Sequence, residues 1–390
     1  MDQAAIDQLR AETPGCAHVT HFNNAGAALM PDQVIDAVAE FTRREIEIGS
    51  YATQVEFADR FERVYDAAAG LLNCDRNAIS ITSGGSEAWW RAFMAVPLEP
   101  GDRIVAGRGE FVSSAAGLVK ARADGVEVVT VPTLADGTTD LDALQQALAG
   151  PTKLVCLTHV PMTQGVINPV AEATAIAHDR GALVLLDATQ SVGQIPVDVA
   201  AIGCDFMTAT GRKWLRGPRG TGLLYVDTKL HDRLRPPVFV DGRSGAWSGD
   251  DYQPASGGAR FELGERSHSA VLGLLAAIEL AAELGVDRIA GRVHELARLL
   301  RFRLAETPGV TVHDATAATA GIVGFSVDGW DDSDVASSLM ASHITVAAPR
   351  AMASFHDLHD RGLRSIVRAA PHYYNTGDEI DVLIEALQRL

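Results

Sequence analysis

Two short segments of the sequence place a carboxylate and a lysine where they could do chemistry. In residues 185–190 (LLDATQ) an apolar run ends at Asp187, and in residues 210–214 (TGRKW) Lys213 stands among small and basic residues. A carboxylate can keep the ring nitrogen of a pyridine cofactor protonated, and a lysine can bond the aldehyde of that cofactor. The protonated ring would then delocalise a carbanion made at a substrate's Cα. An aspartate at a strand end and a lysine in a loop are also common without any such role, so the pair needs further support.

Residues 82–87 (TSGGSE) lie between a predicted strand and a predicted helix. The glycines let the backbone approach an anion, Ser86 offers a hydroxyl, and the helix start presents free N–H groups with a favourable dipole. This pattern is typical of a phosphate-binding loop, with Gly85 and Ser86 as candidate ligands. An ordinary helix start capped by Ser86 explains the same residues equally well. The spacing matches neither GxGxxG nor GxxxxGK[ST], so it does not favour a dinucleotide site or a P-loop.

Further candidates follow predicted strands at one edge of the sheet, which is where ligands of parallel sheets bind. Phe111 comes just after a predicted strand and could stack on a planar ring, although an isolated aromatic residue more often belongs to the core. Polar residues at the same edge could reach a phosphate, a cofactor hydroxyl or the substrate: His159, Thr163, Gln164, Gln190, Thr210 and Arg212. Several such partners in chain order along one rim favour a cofactor site.

An arginine near the C-terminus could bind a substrate. Arg368 lies in residues 366–376 (IVRAAPHYYNT), where a predicted strand precedes a polar turn. Because arginine makes a bidentate pair with a carboxylate, Arg368 could hold the α-carboxyl group of an amino acid. A surface ion pair is the alternative explanation.

The order of predicted elements indicates the fold class. After about residue 75, strand-like runs at 78–82, 103–106, 126–131, 154–158, 183–187, 205–208 and 222–225 are mostly separated by helix-like runs at 86–96, 113–124, 141–148 and 170–180. Continuous β-branched or leucine-rich strands separated by helices predict an α/β fold whose mostly parallel sheet is covered on both faces. The last of these strands is predicted to return along an edge of the sheet.

The length of the chain, 390 residues, allows a large domain and a smaller one. We expect residues 21–255 to form the large domain and residues 256–390 a smaller α+β domain, with residues 1–20 packing against the latter. The stretch at 227–258 is rich in proline, glycine and serine, and we expect a long functional loop there.

Composition excludes several classes of function. The formal net charge of -17 argues against nucleic acid or an anionic membrane as a partner, because both need a basic face. No run of 18 apolar residues and no signal peptide is present, so a cytoplasmic protein without a membrane span is expected. The four cysteines form no CxxC or Cys/His cluster, which predicts reduced thiols and no metal site: Cys16, Cys74, Cys156 and Cys204.

Taken together, these segments resemble class V of the pyridoxal-phosphate aminotransferase fold, in particular its cysteine desulfurase and selenocysteine lyase-like branch. The strongest matches are TSGGSEA, DATQSVGQ, TGRKWLRGPRGTGLLYV and VRAAPHYYNT, and the resemblance runs from FNNAG at residues 22–26 to the Tyr-Tyr-Asn-Thr near the end. It implies a fold-type I enzyme with a mostly parallel seven-stranded sheet, a smaller C-terminal α+β domain and pyridoxal 5′-phosphate as the cofactor. It also implies an amino-acid substrate and a homodimer with its site at the interface.

The resemblance assigns roles to individual residues. Lys213 is the catalytic lysine that bonds the cofactor aldehyde, Asp187 pairs with the ring nitrogen, and Gln190 bonds the ring hydroxyl. Other expected cofactor contacts come from Gly85, Ser86, Phe111, Thr163, Thr210 and Arg212, with Phe111 in place of the stacking histidine usual in desulfurases, and from Arg266 (in GERSH), which is expected to reach the partner's cofactor. The substrate-binding candidates are Asn24, Arg350 and Arg368.

One departure from the family bears on the reaction. Desulfurases use a cysteine on a mobile loop to accept sulfur, because the thiolate is the nucleophile. The corresponding loop here is expected at residues 346–354 (VAAPRAMAS), which contain a methionine but no cysteine. Persulfide-forming desulfuration is therefore disfavoured. The leading hypothesis is a C–S lyase that performs β-elimination on a cysteine derivative or its sulfoxide.

Two other reactions remain open at this point, since class V enzymes share the cofactor machinery across them. One is a class V aminotransferase and the other an isopenicillin N epimerase-like racemase. A non-enzymatic binding protein is disfavoured because such a protein has no need of Lys213.

Overall fold

The structure is a computed structural model, and it describes residues 1–234 and 243–390. In these residues the helices are α1 (Gln3–Ala11), α2 (Asp32–Ile48), α3 (Ser50–Glu56), α4 (Ala58–Leu72), α5 (Gly85–Ala95), α6 (Val112–Ala123), α7 (Leu141–Ala147), α8 (Val170–His178), α9 (Val199–Ile202), α10 (His268–Leu284), α11 (Val286–Ala305), α12 (Asp332–Ala341), α13 (Phe355–Asp360) and α14 (Gly377–Leu387). The strands are β1 (Thr20–His21), β2 (Ile79–Thr82), β3 (Arg103–Ala106), β4 (Glu127–Thr130), β5 (Leu154–Thr158), β6 (Leu183–Asp187), β7 (Phe206–Thr210), β8 (Gly222–Val226), β9 (Gly245–Ser248), β10 (Asp251–Pro254), β11 (Val310–Val312), β12 (Val323–Val327), β13 (Ile344–Thr345) and β14 (Val367–Ala369).

The central sheet has seven strands in the order β2-β8-β7-β6-β5-β3-β4. The strands from β7 to β4 are parallel, while β8 runs antiparallel to both β7 and β2. This confirms the predicted mostly parallel seven-stranded α/β sheet. The expectation of an edge position for the returning strand is wrong, because β2 pairs with the outer side of β8 and is itself the edge.

Both faces of this sheet are covered, as the continuous apolar strands predict. Leu185 and Phe206 point into a core shared with α5 and α6. Their neighbours Leu186 and Met207 point into the opposite core, which also contains buried residues of α4, α8 and α10. Successive side chains of a strand face opposite sides, so a strand buried on both faces has no polar positions and reads as an unbroken apolar run.

The C-terminal part contains a second sheet, which is antiparallel and has the order β11-β12-β14. Its apolar residues share a core with α11, α12 and α14, and Phe22 next to β1 belongs to the same core. Helix α10 instead packs against α2 and α4 beside the large sheet. The division at residues 20 and 255 stays a prediction.

The stretch at 227–258 differs from the expected loop where the structure describes it. Strands β9 and β10 form an antiparallel hairpin there, with Trp247 opposite Tyr252. Residues 235–242 of this stretch lie outside the described residues. The residues of β9 and β10 do not line the pocket described below.

In the described part of the chain, no single helix has both the length and the hydropathy needed to cross a bilayer. Helices α10 and α11 would pass that test only as a pair, and they are bent by 82° at their junction.

A buried arginine joins three distant parts of the chain beneath the loop that follows β7. Arg216 is 1% exposed and donates to Leu29 O (2.8 Å), to the Tyr373 hydroxyl (2.7 Å) and to Thr13 Oγ1 (2.6 Å). Its guanidinium also lies 4.5 Å from the ring centroid of Tyr374. A planar guanidinium with several fixed donors suits such a junction, and a lysine could not reproduce it.

We expect Arg216→Met to lower the free energy of unfolding by about 3 kcal/mol, because it removes charged hydrogen bonds and leaves their buried acceptors unpaired. Chemical denaturation followed by circular dichroism would measure this loss. The matched control is Arg298→Met, since Arg298 is exposed on α11 and should lose less than about 0.5 kcal/mol. Equal stability of the two variants would contradict the role given to Arg216.

Candidate active site

A pocket of about 450 Å³ opens at the carboxyl ends of the parallel strands. It is lined by eight of the residues that the sequence nominated: Gly85, Ser86, Phe111, Asp187, Gln190, Thr210, Arg212 and Lys213. They come from the loops after β2, β3, β6 and β7. Because parallel strands end at the same edge of the sheet, residues far apart in sequence meet there.

At one end of the pocket the starts of two helices meet. Gly84 precedes α5 and Phe111 precedes α6, and neither helix start has a side-chain hydrogen-bond cap. The helices are joined by a 3.0 Å contact between Ser86 Oγ and Ser113 Oγ. Ser86 lies inside the first turn of α5, so its proposed role as an ordinary cap is wrong. Uncapped first-turn N–H groups and two helix dipoles form a site suited to an anion such as phosphate.

Glycine is required where strand β8 passes this loop. A Cβ at Gly222 would lie 2.6 Å from the backbone carbon of Gly84 and 2.7 Å from Thr82 Oγ1. The close approach lets β8 pair with β2 and holds the loop next to Thr210.

Two arginines add positive charge at the pocket. Arg212 donates to Gly26 O, and Arg219 also lines the pocket. Burial lowers the pKa of Arg212, and the nearby Arg219 guanidinium lowers it further. Neither arginine forms an ion pair among the described residues. Both guanidiniums are therefore available to an anion.

Lys213 lies buried within the pocket, with its Nζ 6.0 Å from the ring centroid of Phe111. Burial lowers the pKa of Lys213 to about 7, Arg212 and Arg368 lower it as well, and only Asp187 opposes them. With this pKa about half of the amine is neutral at pH 7, and a neutral amine is the form that attacks an aldehyde.

Asp187, at the end of β6, is held by the backbone. Its Oδ1 accepts from Thr189 N (2.8 Å), and its carbonyl accepts from His159 N (2.9 Å). Gln190 lies beside it and donates to Ala25 O (3.0 Å) while accepting from Trp214 Nε1 (2.9 Å). The second N–H of the Gln190 amide remains available to a ligand. Trp214, which follows Lys213, is thus hydrogen-bonded to Gln190, the residue expected to bond the ring hydroxyl.

Two buried titratable groups surround Asp187 without lining the pocket. Burial raises the pKa of Glu110 to about 8, and the charge of Asp187 adds to this shift, while Glu110 Oε1 accepts from Thr158 Oγ1 at 3.0 Å. Burial lowers the pKa of His159 to about 4. Both groups are therefore mainly neutral at pH 7, so neither adds a charge beside Asp187.

Arg368 lies close enough to Lys213 to influence its pKa and is itself buried. Its guanidinium donates to Met162 O (3.1 Å) and to Asn23 Oδ1 (3.2 Å), and its Nε has no partner among the described residues. Burial lowers the pKa of Arg368 to about 10. An arginine with an unused buried N–H and no carboxylate partner is suited to a substrate carboxylate.

Asn24 does not line the pocket. It is fully buried and donates to Ala370 O at 2.7 Å, and the Tyr374 hydroxyl donates to its Oδ1. These bonds hold the N-terminal segment to the turn after β14. The neighbouring Asn23 is the asparagine that contacts Arg368, and contact of Asn24 with a substrate stays a prediction.

Arg368 itself does not line this pocket, and neither do three further candidates. Thr163 is buried, and its hydroxyl donates to Asp357 instead of facing a cofactor. Arg350 is exposed on the segment before α13. Arg266 donates to Glu262 Oε2 (3.0 Å) and lines a separate surface cavity next to α2 and α3. Contact of Arg266 with a partner's cofactor stays a prediction.

None of the four cysteines lines the pocket. Cys156 and Cys204 are buried and Cys16 and Cys74 half-buried, and burial raises the pKa of each of them. The segment at 346–354 carries no thiol, as the sequence shows. Among the described residues no cluster of three or more His, Cys, Asp or Glu side chains could hold a metal ion.

Sequence reasoning passed over several residues that the structure brings to the pocket: Arg219, Ser113, Ser114, Val160 and Met162. Arg219 had a signal, since it lies in the same basic, glycine-rich motif as Lys213. The two serines could have been found as a helix start after a predicted strand. Val160 and Met162 carry no signal in a single sequence, because apolar residues after a strand are ordinary core residues.

The pocket fits pyridoxal 5′-phosphate. Two uncapped helix starts and two arginines suit the phosphate, Asp187 suits a protonated ring nitrogen, and Phe111 offers a ring face. Lys213 lies in the same pocket with a lowered pKa. Each group of the cofactor has a residue of complementary charge or polarity in this one pocket.

Comparisons with known proteins agree with this reading of the pocket. A model of the family Aminotransferase class-V matches residues 20–383. The chain is 29% identical to a probable cysteine desulfurase of Methanothermobacter thermautotrophicus over 98% of both chains. It is 30% identical to a cysteine desulfurase of Escherichia coli O127:H6, covering 99% of this chain and 98% of the relative.

Solved structures agree with the fold. The apo cysteine desulfurase of Thermococcus onnurineus NA1 superposes with a TM-score of 0.91 at 26% identity, covering 98% of this chain and 97% of that one. A cystine C–S lyase, C-DES, in complex with its reaction product cysteine persulfide, gives 0.87 at 26% identity over 96% and 99% of the two chains. The expected fold-type I enzyme and its cofactor, pyridoxal 5′-phosphate, are confirmed. The chain belongs to the class-V aminotransferase family.

Proposed function

We propose that this enzyme is a C–S lyase that acts on a cysteine derivative, either an S-substituted cysteine or its sulfoxide. The observation that carries the proposal is a pocket with a buried lysine of lowered pKa but no thiol. The relatives named cysteine desulfurases and the similar structure named a cystine C–S lyase support chemistry at a cysteine sulfur. Without a thiol to accept that sulfur, the sulfur-bearing group leaves as a free product.

The pocket residues and the buried Arg368, which contacts the pocket residue Met162, would divide the work of such a reaction. Arg368 would hold the substrate's α-carboxylate, and the helix starts with Arg212 would hold the cofactor phosphate. Asp187 would keep the ring nitrogen protonated. When bound, the cofactor withdraws the electron pair left at Cα once its proton is removed.

Lys213 would act on the proton of the substrate's Cα. With the substrate in place, Lys213 would be free to accept that proton, and its lowered pKa leaves about half of the amine unprotonated at pH 7. Loss of the Cα proton would allow the Cβ–S bond to break, with the bonding electrons leaving on sulfur. The sulfur group would take up a proton and depart as a thiol, or as a sulfenic acid where the substrate is a sulfoxide, and water would convert the remaining three-carbon fragment to pyruvate and ammonia.

The first test is product analysis with an S-substituted cysteine and no keto acid. We expect thiol, pyruvate and ammonia in equal amounts, and we expect Lys213→Ala to reduce their formation by at least about 10²–10⁴-fold. The control is Lys229→Ala, which removes an 88% exposed lysine and should leave the rate unchanged.

Other products would overturn the proposal. Turnover that requires a keto acid and leaves the cofactor in its amine form would indicate an aminotransferase. Loss of optical purity without release of sulfur would indicate a racemase. Sulfide release that depends on one of the four cysteines would indicate a persulfide-forming desulfurase.

The lowered pKa of Lys213 has a testable pH dependence. Below the pKa the amine is protonated and cannot attack the aldehyde, so the rate at which the cofactor-free protein captures pyridoxal 5′-phosphate should rise with pH and level off above about pH 7. Arg368→Gln removes a cation that lowers the pKa, and the midpoint should therefore move to higher pH. Stopped-flow absorbance would give both profiles. A wild-type midpoint near the ordinary lysine value of roughly 10.4 would contradict the assignment.

The partner of this chain is proposed to be a second copy of itself. An apolar groove on α2 beside Pro218 includes Met30, Ile35 and Ile46, and Ile46 is 81% exposed. Tyr51 on α3 is 86% exposed. Large exposed apolar patches usually mark contact sites. This groove adjoins the loop of Arg212 and Arg219, so a second copy seated there would lie close to the pocket. A cytoplasmic location remains an expectation from the sequence.

We expect Ile46→Glu to weaken self-association by at least about tenfold, because two-fold contact would bury the new charges against apolar surface. Sedimentation velocity over a range of concentrations would measure the effect. Phe302→Glu is the matched control, since Phe302 is 55% exposed on α11 away from this groove. A monomeric wild-type protein, or a dimer whose stability is unchanged by Ile46→Glu, would contradict the proposed interface.

A further inference from the structure

The loop after β5 places a methionine side chain in the pocket beside the proposed carboxylate site. Met162 lines the pocket, and its backbone carbonyl accepts from Arg368 Nη1 at 3.1 Å. A ligand carboxylate bound by Arg368 would therefore lie next to Met162. The part of the substrate beyond Cα must pass close to this thioether.

The backbone on the far side of Met162 is fixed by α13. The Thr163 hydroxyl and Gln164 Nε2 both donate to the buried carboxylate of Asp357, the latter at 3.1 Å. Arg361 pairs with the same carboxylate at 3.0 Å. Because the loop is held between Arg368 on one side and Asp357 on the other, the chain at Met162 cannot withdraw, and only the side chain can adapt to a ligand.

The surroundings of Met162 are apolar. Val160, two residues before it, and Phe111 from the loop after β3 also line the pocket. The charged residues that line the pocket in the described chain have other positions: Glu87 in the first turn of α5, Asp187 at the end of β6, and Arg212, Lys213 and Arg219 in the loop after β7. Glu87 is already paired with Arg91. With Arg368 occupied by the α-carboxylate, a charged substrate side chain next to Met162 would lose its hydration without gaining a partner there.

We propose that Met162 is a specificity-determining residue, which selects cysteine derivatives whose sulfur carries an uncharged, apolar group. This proposal rests on the C–S lyase function and names its substrate class. A thioether is polarizable, has three rotatable bonds and makes favourable contacts with sulfur and aromatic groups. It can therefore fit the varied shapes of alkyl and aryl substituents, while it offers nothing to an acidic or basic one.

The test is a binding measurement with two probes that lack a Cα proton and so are not turned over by its removal, α-methyl-L-methionine and α-methyl-L-glutamate. The holoenzyme is titrated with each probe, and the dissociation constants are read from the change in cofactor absorbance. We expect the wild type to bind the methionine probe at least tenfold more tightly than the glutamate probe. Met162→Leu should keep this preference, and Met162→Lys should reverse it by pairing with the glutamate carboxylate.

Two further variants keep the test decisive. Met162→Gln retains size and neutrality, so it should weaken the methionine probe several-fold without tightening the glutamate probe, and it decides the matter if Met162→Lys does not fold. Met340→Lys is the control, because Met340 is 61% exposed on α12 and does not line the pocket, so both constants should stay unchanged. A preference that follows position 340, or that survives both Met162→Lys and Met162→Gln, would overturn the proposal.

Failure of this inference can be told apart from failure of the proposed function. Probe binding involves no release of sulfur, so the selectivity of Met162 can hold even if product analysis finds an aminotransferase. Conversely, thiol and pyruvate formation with unchanged probe selectivity in the variants would reject only the role of Met162.

Discussion

The site depends on the burial of one amine among charges of both signs. Lys213 is removed from water, lies near two guanidiniums and has Asp187 as its opposing charge, so the pKa of its side chain falls to about 7. In water the same amine would be protonated and unreactive at that pH. The other residues of the pocket either exclude water from this amine or place a partner around it. Glu110 and His159 are mainly neutral at pH 7, so they add no charge beside Asp187. A further charge there would shift the pKa of Lys213.

The loop that carries Lys213 is short and has no regular structure, so its position is set by its neighbours. Trp214 donates to Gln190, and its carbonyl accepts from His372 Nε2 at 3.1 Å. Burial lowers the pKa of His372 well below its ordinary value, which keeps this histidine a neutral donor. Arg216 then fixes the end of the loop to the N-terminal segment and to Tyr373. Residues from both ends of the chain therefore hold the lysine in place.

The substrate side of the pocket differs in character from the cofactor side. The phosphate end is built from backbone N–H groups and arginines, whereas the wall at Val160 and Met162 is apolar. The arginine proposed for the carboxylate, Arg368, comes from β14 in the second sheet. A substrate held in this way would bridge the two sheets, with its carboxylate at one and its reacting carbon at the other.

The sequence by itself determined the sheet, the cofactor and most of the candidate residues that meet in the pocket. Unbroken apolar strands must be buried on both faces, and residues at the carboxyl ends of parallel strands must meet, so Asp187, Lys213 and Gly85 could be placed without coordinates. Motifs near the lysine then fixed the family. These inferences rest on local patterns, which a single sequence contains.

Only the tertiary structure decided which polar atoms remain free for a ligand. Asn23 and Asn24 have the same side chain, yet Asn24 is consumed by Ala370 and Tyr374 while Asn23 contacts Arg368. Thr163 is likewise occupied by Asp357, a residue far along the chain. The neighbour Met162 faces the pocket instead. Hydrogen-bond partners distant in sequence set these outcomes, and no spacing or composition within the loop could reveal them.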